Sequence, residues 1–516
     1  LAKMWAALPL LIAGAEAPPG PEAPPAEDTP DRRTTANVRA FWETNSARFE
    51  AISFWARVPM ILLTLALGAT IFGYTRRLFG PRAAVLATAL FSVEPTVLAH
   101  GRVVQTDIPA ALAFLGFFVA LHAYADRPTF RRAALLGLVS AAGFLTKFSM
   151  LVLAPVLALA LLALWTLAPR RGVWRRQVAA QTAVVALVVL VAINAVYFFD
   201  RRPLEAADLN LIAHTASDRA GRVRAAIEAL SIPLPTYFVV GAYTIFFHNS
   251  GGHSAGLLGM YSAHGWWYYF PVAFALKTSL PFLILALGAV GWALWRLVAG
   301  REIRLLAILV PLALYTALAM RSQINIGIRH LLPAFPFLFI LGGAALDRLL
   351  RPRRTRALRV AAATAAVVAL GWMGGEAARA YPDYIPYMNQ LARPRPHWWY
   401  LSDSNVEWGD DVGALARYLR ARGETSVRGA LLGGWGTLEL YGIEYLDMAD
   451  PSAGPLPETR YIAIGASYLN GSTVPGATEG GDAAAQQARR DFFADYRNRV
   501  PEVVLGGSIY LYRAEP

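Results

Sequence analysis

The sequence predicts an α-helical polytopic membrane protein carrying a small external C-terminal α/β domain. Three observations predict it. Of 516 residues, 56% are hydrophobic and 16% charged, against roughly 45–50% apolar and about 25% charged in a soluble domain. Ten apolar runs reach or approach the ~20 residues that cross a bilayer. Charge also changes sign along the chain: residues 1–375 carry 35 basic and 17 acidic groups, and residues 376–516 carry 13 and 18. The net +13 therefore belongs to the apolar part, where it reads as topology and not as affinity for nucleic acid. With no cysteine, disulfides, Cys-ligated zinc, iron–sulfur clusters and thiol nucleophiles are excluded together.

The runs are 55–75, 83–99, 107–125, 133–146, 148–168, 177–199, 279–299, 304–320, 331–348 and 357–375. The fourth is short, and Glu94-Pro95 interrupts the second. Arginines fall in alternate connections: Arg76, Arg77 and Arg82; Arg127, Arg131 and Arg132; Arg170 to Arg176; Arg301 and Arg304; and Arg348 to Arg359. That alternation marks one side as cytoplasmic. The opposite connections, 99–107, the turn at Lys147, 200–278 and 321–330, then lie outside, as do both ends of the chain. The expected division is an external loop remnant at 1–54, a transmembrane domain at 55–375 with its long external loop at 200–278, and an external α/β domain at 376–516. The chain starts Leu1-Ala2-Lys3 with no initiator Met, so an upstream span is expected to be missing. Residues 17–35, rich in Pro, Glu and Ala, read as a flexible loop. An amphipathic segment is expected at 217–230, an interfacial or re-entrant one at 236–247, a helix at 410–422, and strands at 427–432, 460–466 and 508–513.

Candidate functional residues gather on the predicted outer side. His100, Arg102 and Asp107 share one short loop, and Asp107 opens a span just before Ile108-Pro109. Asp is a good helix N-cap, but ionisable groups at membrane depth are costly and usually have a task. Glu94 lies inside an apolar run, two turns upstream. The chain has three lysines, Lys3, Lys147 and Lys277, all on this side, where an ammonium suits a lipid phosphate. Arg329 and His330 stand at the mouth of another span and suit the same phosphate. Trp266 and Trp267 belong to an aromatic cluster fit for the headgroup layer. Asp403, Asn405 and Trp408 lie in an acidic, aromatic external patch. His248, His253 and His264 are too widely spaced for a helical metal face. Asn470-Gly471-Ser472 matches a glycosylation sequon, a match common by chance.

Several of these segments together resemble one family. They are His100 to Asp107, Leu145-Thr146-Lys147-Phe148, Gly265-Trp266-Trp267-Tyr268-Tyr269-Phe270-Pro271, Asn325-Ile326-Gly327-Ile328-Arg329-His330-Leu331-Leu332-Pro333, and Asp403-Ser404-Asn405 with Trp408-Gly409. The chain looks like a bacterial member of the protein O-mannosyltransferase-like branch of the GT-C glycosyltransferases (glycosyltransferase family 39). The resemblance implies transfer of a hexose or pentose from a polyprenyl-phosphate donor to an acceptor protein, glycan or lipid at the outer face of the cytoplasmic membrane. It implies catalytic roles for Asp107, Arg102 and His100, a donor-phosphate site at Lys147, Lys277, Arg329 and His330, and acceptor or donor contacts at Glu94, Trp266, Trp267, Asp403, Asn405 and Trp408. The general base is expected upstream of Leu1, in the family's first external loop, which would leave this fragment inactive. No particular cofactor is implied; Asp107 and Glu94 leave a divalent metal open. The competing readings are a flippase or transporter of lipid-linked sugars and a structural membrane protein. A transporter should place its ionisable groups near the bilayer midplane at paired repeats, and the sequence places them at the boundary.

Overall fold

The computed structural model describes residues 1–18, 30–167, 172–200, 233–351, 355–434, 436–450, 454–478 and 482–514. The amphipathic segment expected at 217–230, with the rest of residues 201–232 in the loop at 200–278, lies outside these residues. Two helices precede the first span, α1 (Ala2–Ala7) and α2 (Pro30–Asn45). Of the loop expected at 17–35, residues 30–35 belong to α2 and residues 19–29 lie outside the described residues. The membrane part continues with α3 (Phe49–Phe79), α4 (Pro81–Ser92), α5 (Pro95–Gly101), α6 (Asp107–Asp126), α7 (Phe130–Thr146), α8 (Leu153–Leu167) and α9 (Gly172–Val196). It resumes with α10 (Thr236–Gly251), α11 (Tyr269–Lys277), α12 (Leu280–Val298), α13 (Leu306–Arg321), α14 (Phe335–Leu349) and α15 (Arg356–Ala380).

Ten spans were expected; among the described residues eight helices are long and apolar enough to cross a membrane, or nine if α4 and α5 count as one bent span. The bend between α4 and α5 is 68° and falls at Glu94-Pro95. Proline has no N–H to give and disfavours a helical residue before it. The run at 133–146 became α7, with 17 residues, only about 25 Å at the α-helical rise. It packs along α9, where Gly137 meets the backbone of Val185 and the side chain of Val188. The segment from Ile328 to Leu349 is 89% buried and Arg356–Ala380 only 11%, so α14 is the central helix and α15 a peripheral one. Gly343 lets α14 approach α4 so closely that a β-carbon would strike the backbone of Ala83 and Ala87, the small-residue contact common between membrane helices.

The arginine-rich connections meet at one end of the bundle. Arg77 pairs with Asp126, Arg82 and Arg351 with Asp347, and Arg296, Arg304 and Arg348 with Glu302. The candidate residues on α6, α7 and the turn before α14 lie at the other end.

After α15, which continues past the boundary expected at 375, the chain builds a mixed sheet in the order β4-β3-β5-β7-β6. Here β3 is Ser426–Ala430, β4 Glu444–Asp447, β5 Tyr461–Gly465, β6 Val503–Leu505 and β7 Ile509–Arg513; a hairpin of β1 (Ala255–Leu257) and β2 (Met260–Ser262) comes earlier in the chain. The three expected strands are there. Strands β4 and β6 are additions, too short to announce themselves. Every residue of β5 is buried because both faces are covered. Tyr461 and Ala463 pack with α16 (Val412–Arg420), while Ile462 and Ile464 face Phe493 and Tyr512. This alternation is the period of two expected of a strand.

Candidate functional site

Asp107 is the first residue of α6, with proline two positions on as a helix start prefers. Its carboxylate does not cap its own helix. Lys147 Nζ donates to Oδ1 at 2.6 Å, and Arg329 Nη1 stands 3.6 Å from Oδ2. The two cations arrive from different elements. Lys147 sits where α7 stops, in extended backbone at φ −153°, so its side chain leaves the helix end. Arg329 projects from the tight helical turn Ile328–Ala334 that leads into α14. Asp107 is 1% exposed and Arg329 11%, which makes this a nearly dry cluster of one carboxylate and two cations, with net positive charge. His330 and His100 lie within electrostatic reach of Asp107, and His330 Nε2 is buried without a hydrogen-bond partner among the described residues.

The C-terminal part completes the cluster. Ser404 Oγ accepts from Arg329 Nε at 2.8 Å, and the guanidinium lies 4.1 Å from the centre of the Trp408 ring, a cation–π contact. Asn405 is fully buried. Its Oδ1 accepts from Ile328 N at 2.9 Å, and its Nδ2 donates to the Tyr269 hydroxyl at 2.7 Å. Trp266 N donates to Asn325 Oδ1 at 2.8 Å, while Trp267 is exposed and stacks edge-on with Tyr268. Asp403 adopts φ 54° and accepts from the Ser404 amide. Segments separated by up to 300 residues of sequence thus meet at one end of the bundle.

Other candidates take different places. Lys277 is 3% exposed, and its Nζ donates to the carbonyls of Ile385 and Asn405 at 2.5 and 2.6 Å. Burial pushes this ammonium down to about 7. Glu94 accepts from Ser279 Oγ at 2.7 Å and Ser279 N at 3.2 Å, a carboxylate set at the start of α12 where the helix dipole favours it. Arg102 pairs with Asp410 at 3.4 Å and lines a cavity of about 850 Å³ with Arg57, Asp411, Trp42 and Tyr441; Asp107, Lys147 and Arg329 are not in its wall. Of the four candidate cations on this side, Lys147 and Arg329 converge, Lys277 is tied to the backbone, and Arg102 faces the cavity. Among the described residues no group of three His, Asp or Glu side chains could hold a metal. Asn470 of the sequon is buried, and its Nδ2 donates to Trp398 O.

Sequence reasoning missed Ser404 as a partner of Arg329, because nothing local couples positions 75 residues apart. It also missed Glu407, which is buried and accepts from Leu432 N at 2.7 Å and Ser467 N at 3.1 Å. Burial pushes this carboxyl up to about 8. Its only sequence signal was an acid amid aromatic and turn residues.

Residues 48–197, which run from the start of α3 to the end of α9, match the family model described as dolichyl-phosphate-mannose-protein mannosyltransferase. That match covers under a third of the 516-residue chain. No curated protein matches the chain. Among solved structures, ArnT from Cupriavidus metallidurans bound to undecaprenyl phosphate is 15% identical, with a TM-score of 0.39, covering 78% of this chain and 63% of that one. The same protein in the apo state is 14% identical with a TM-score of 0.40, covering 92% and 86%. The apo oligosaccharyltransferase of Archaeoglobus fulgidus is 12% identical with a TM-score of 0.42, covering 86% and 58%. The chain thus spans less than two thirds of the first and third of these structures.

Proposed function

We propose that this chain is of the GT-C kind and forms the donor-phosphate site of a membrane glycosyltransferase, one that moves a sugar from a polyprenyl phosphate to an acceptor at the outer face of the cytoplasmic membrane. One observation carries the reading: Lys147 and Arg329 converge on a single buried carboxylate at the mouth of α6 and α14. One anion between two cations leaves a positive surplus, and a phosphate oxygen can take it up. In the reaction the bond between sugar C1 and phosphate oxygen breaks, and a bond from the acceptor oxygen to C1 forms. The acceptor's proton passes to a base, and negative charge builds on the departing phosphate. Lys147 and Arg329 stabilise that charge, with a preorganised pair worth far more in a dry site than in water.

Asp107 is given the role of organiser in this scheme and not that of base. One of its oxygens is held by Lys147 and the other stands 3.6 Å from Arg329 without a hydrogen bond of its own among the described residues, so its charge is committed to the two cations it holds in place. Among the described residues the ion pairs of the helical part stand at the ends of the helices, which supports chemistry at a surface, whereas an ion-coupled transporter needs charge at the midplane. The test is transfer of radiolabelled sugar from polyprenyl phosphate by the full-length protein. Lys147→Met and Arg329→Ala should each raise the donor KM and lower kcat; unchanged transfer in both would refute the assignment.

A further inference from the structure

Lys277 ends α11 with its amine turned inward. It pairs with no carboxylate among the described residues, and two backbone carbonyls, of Ile385 and Asn405, accept its hydrogens. Asn405 is the hub of a hydrogen-bond network. Its carbonyl takes the Lys277 N–H, its side-chain oxygen takes the amide of Ile328, and its side-chain nitrogen reaches Tyr269 and the carbonyl of Ser402. Ile328 is the residue before Arg329. Ser404, the residue before Asn405, accepts from Arg329 Nε and donates to Ile326 O at 2.5 Å. The backbone leading into Arg329 and its guanidinium are therefore both tied to one short stretch of the C-terminal part, and Lys277 ties that stretch to α11.

We propose that Lys277 and Asn405 are positioning residues: they hold the 402–408 segment against the turn Ile328–Ala334 and so aim the Arg329 guanidinium at Asp107. The inference rests on reading Arg329 as a donor-phosphate group. Two facts favour this role over direct phosphate contact by Lys277. Both carbonyl partners are within 2.6 Å, so most of the donor capacity of the amine is already spent. A neutral amine, toward which burial drives it, still has the two N–H bonds these carbonyls need.

The same full-length transfer assay tests it, with donor KM and kcat measured for Lys277→Met, Asn405→Ala, Arg329→Ala and the two double variants that include Arg329→Ala. Arg329→Ala should raise the donor KM about 30-fold, as loss of a charge-assisted hydrogen bond does, and Lys277→Met and Asn405→Ala about tenfold each. Residues that act through Arg329 have nothing to add once it is gone, so each double variant should stay near 30-fold and not approach the roughly 300-fold of independent effects. Fully additive double variants would overturn the positioning role and leave the donor site standing. An unchanged KM in Arg329→Ala would instead sink the donor reading itself. Should Lys277→Met fail to fold, the Asn405→Ala arm carries the same test with the lysine in place. A general structural defect would lower thermal stability and leave the cycle additive.

Discussion

Replacing Asp107 by asparagine keeps the shape of the side chain and removes only its charge, which makes it the sharpest probe of the cluster. The gross Coulomb attraction at an effective dielectric constant near 20 is about 6 kcal/mol for Lys147 at 2.6 Å and about 5 kcal/mol for Arg329 at 3.6 Å. Desolvation of Asp107 and Arg329, and in part of Lys147, cancels much of this. Removing one partner of a buried pair still costs about 3–5 kcal/mol, because the other charge is left uncompensated. Asp107→Asn should therefore lower stability by about that amount, and it leaves two cations facing each other with no anion between them. Such a site should take an anion more avidly than the native one. Inorganic phosphate at about 100 times its Kd should then return about 2.7 kcal/mol to the variant and much less to the native protein. Thermal unfolding in detergent, with phosphate against chloride at equal ionic strength, measures both. Native-like stability of the variant, or equal protection of both proteins by phosphate, would refute the organising role of Asp107.

Other perturbations have definite outcomes. Glu407 titrates higher in the fold, at about 8, than in the unfolded chain, at roughly 4.3. The native state therefore binds the extra proton between these values, and stability should fall as pH rises from about 5 to 8. Glu407→Gln should flatten that slope in denaturant titrations at pH 5.5 and 7.5, and an unchanged slope would assign it to another group. At Gly327 a β-carbon would strike Ser404 Oγ, so Gly327→Ala should push Ser404 off Arg329 and raise the donor KM about tenfold; an unaltered KM would show the contact to be dispensable. The chain has no cysteine to compete, so Trp267→Cys should react with an impermeant maleimide on intact cells and Arg301→Cys only after permeabilisation. Labelling of both from outside would overturn the topology.

Apolar length announced the helices, because a bilayer demands it of any segment that crosses. Glu94-Pro95 announced the bend, because proline's chemistry is local. Short apolar runs announced β5 and β7. The fate of individual charges was less legible. The sequence places Lys147, Lys277 and Arg329 on the same side, but it cannot say that Lys277 will meet the carbonyl of Asn405, 128 residues on, while Lys147 meets a carboxylate. Both outcomes satisfy the same local pattern. Glu94 is the same case: an acid inside an apolar run must find a donor, and only the fold names Ser279, 185 residues away.

The tie between Arg329 and the stretch from Ser402 to Trp408 has a practical consequence for anyone recombining such proteins. A chimera that takes its water-exposed half from a distant cousin would inherit a foreign socket for the arginine. Grafts should work when residues 325–334 travel with that half, and misfire when the crossover falls between them.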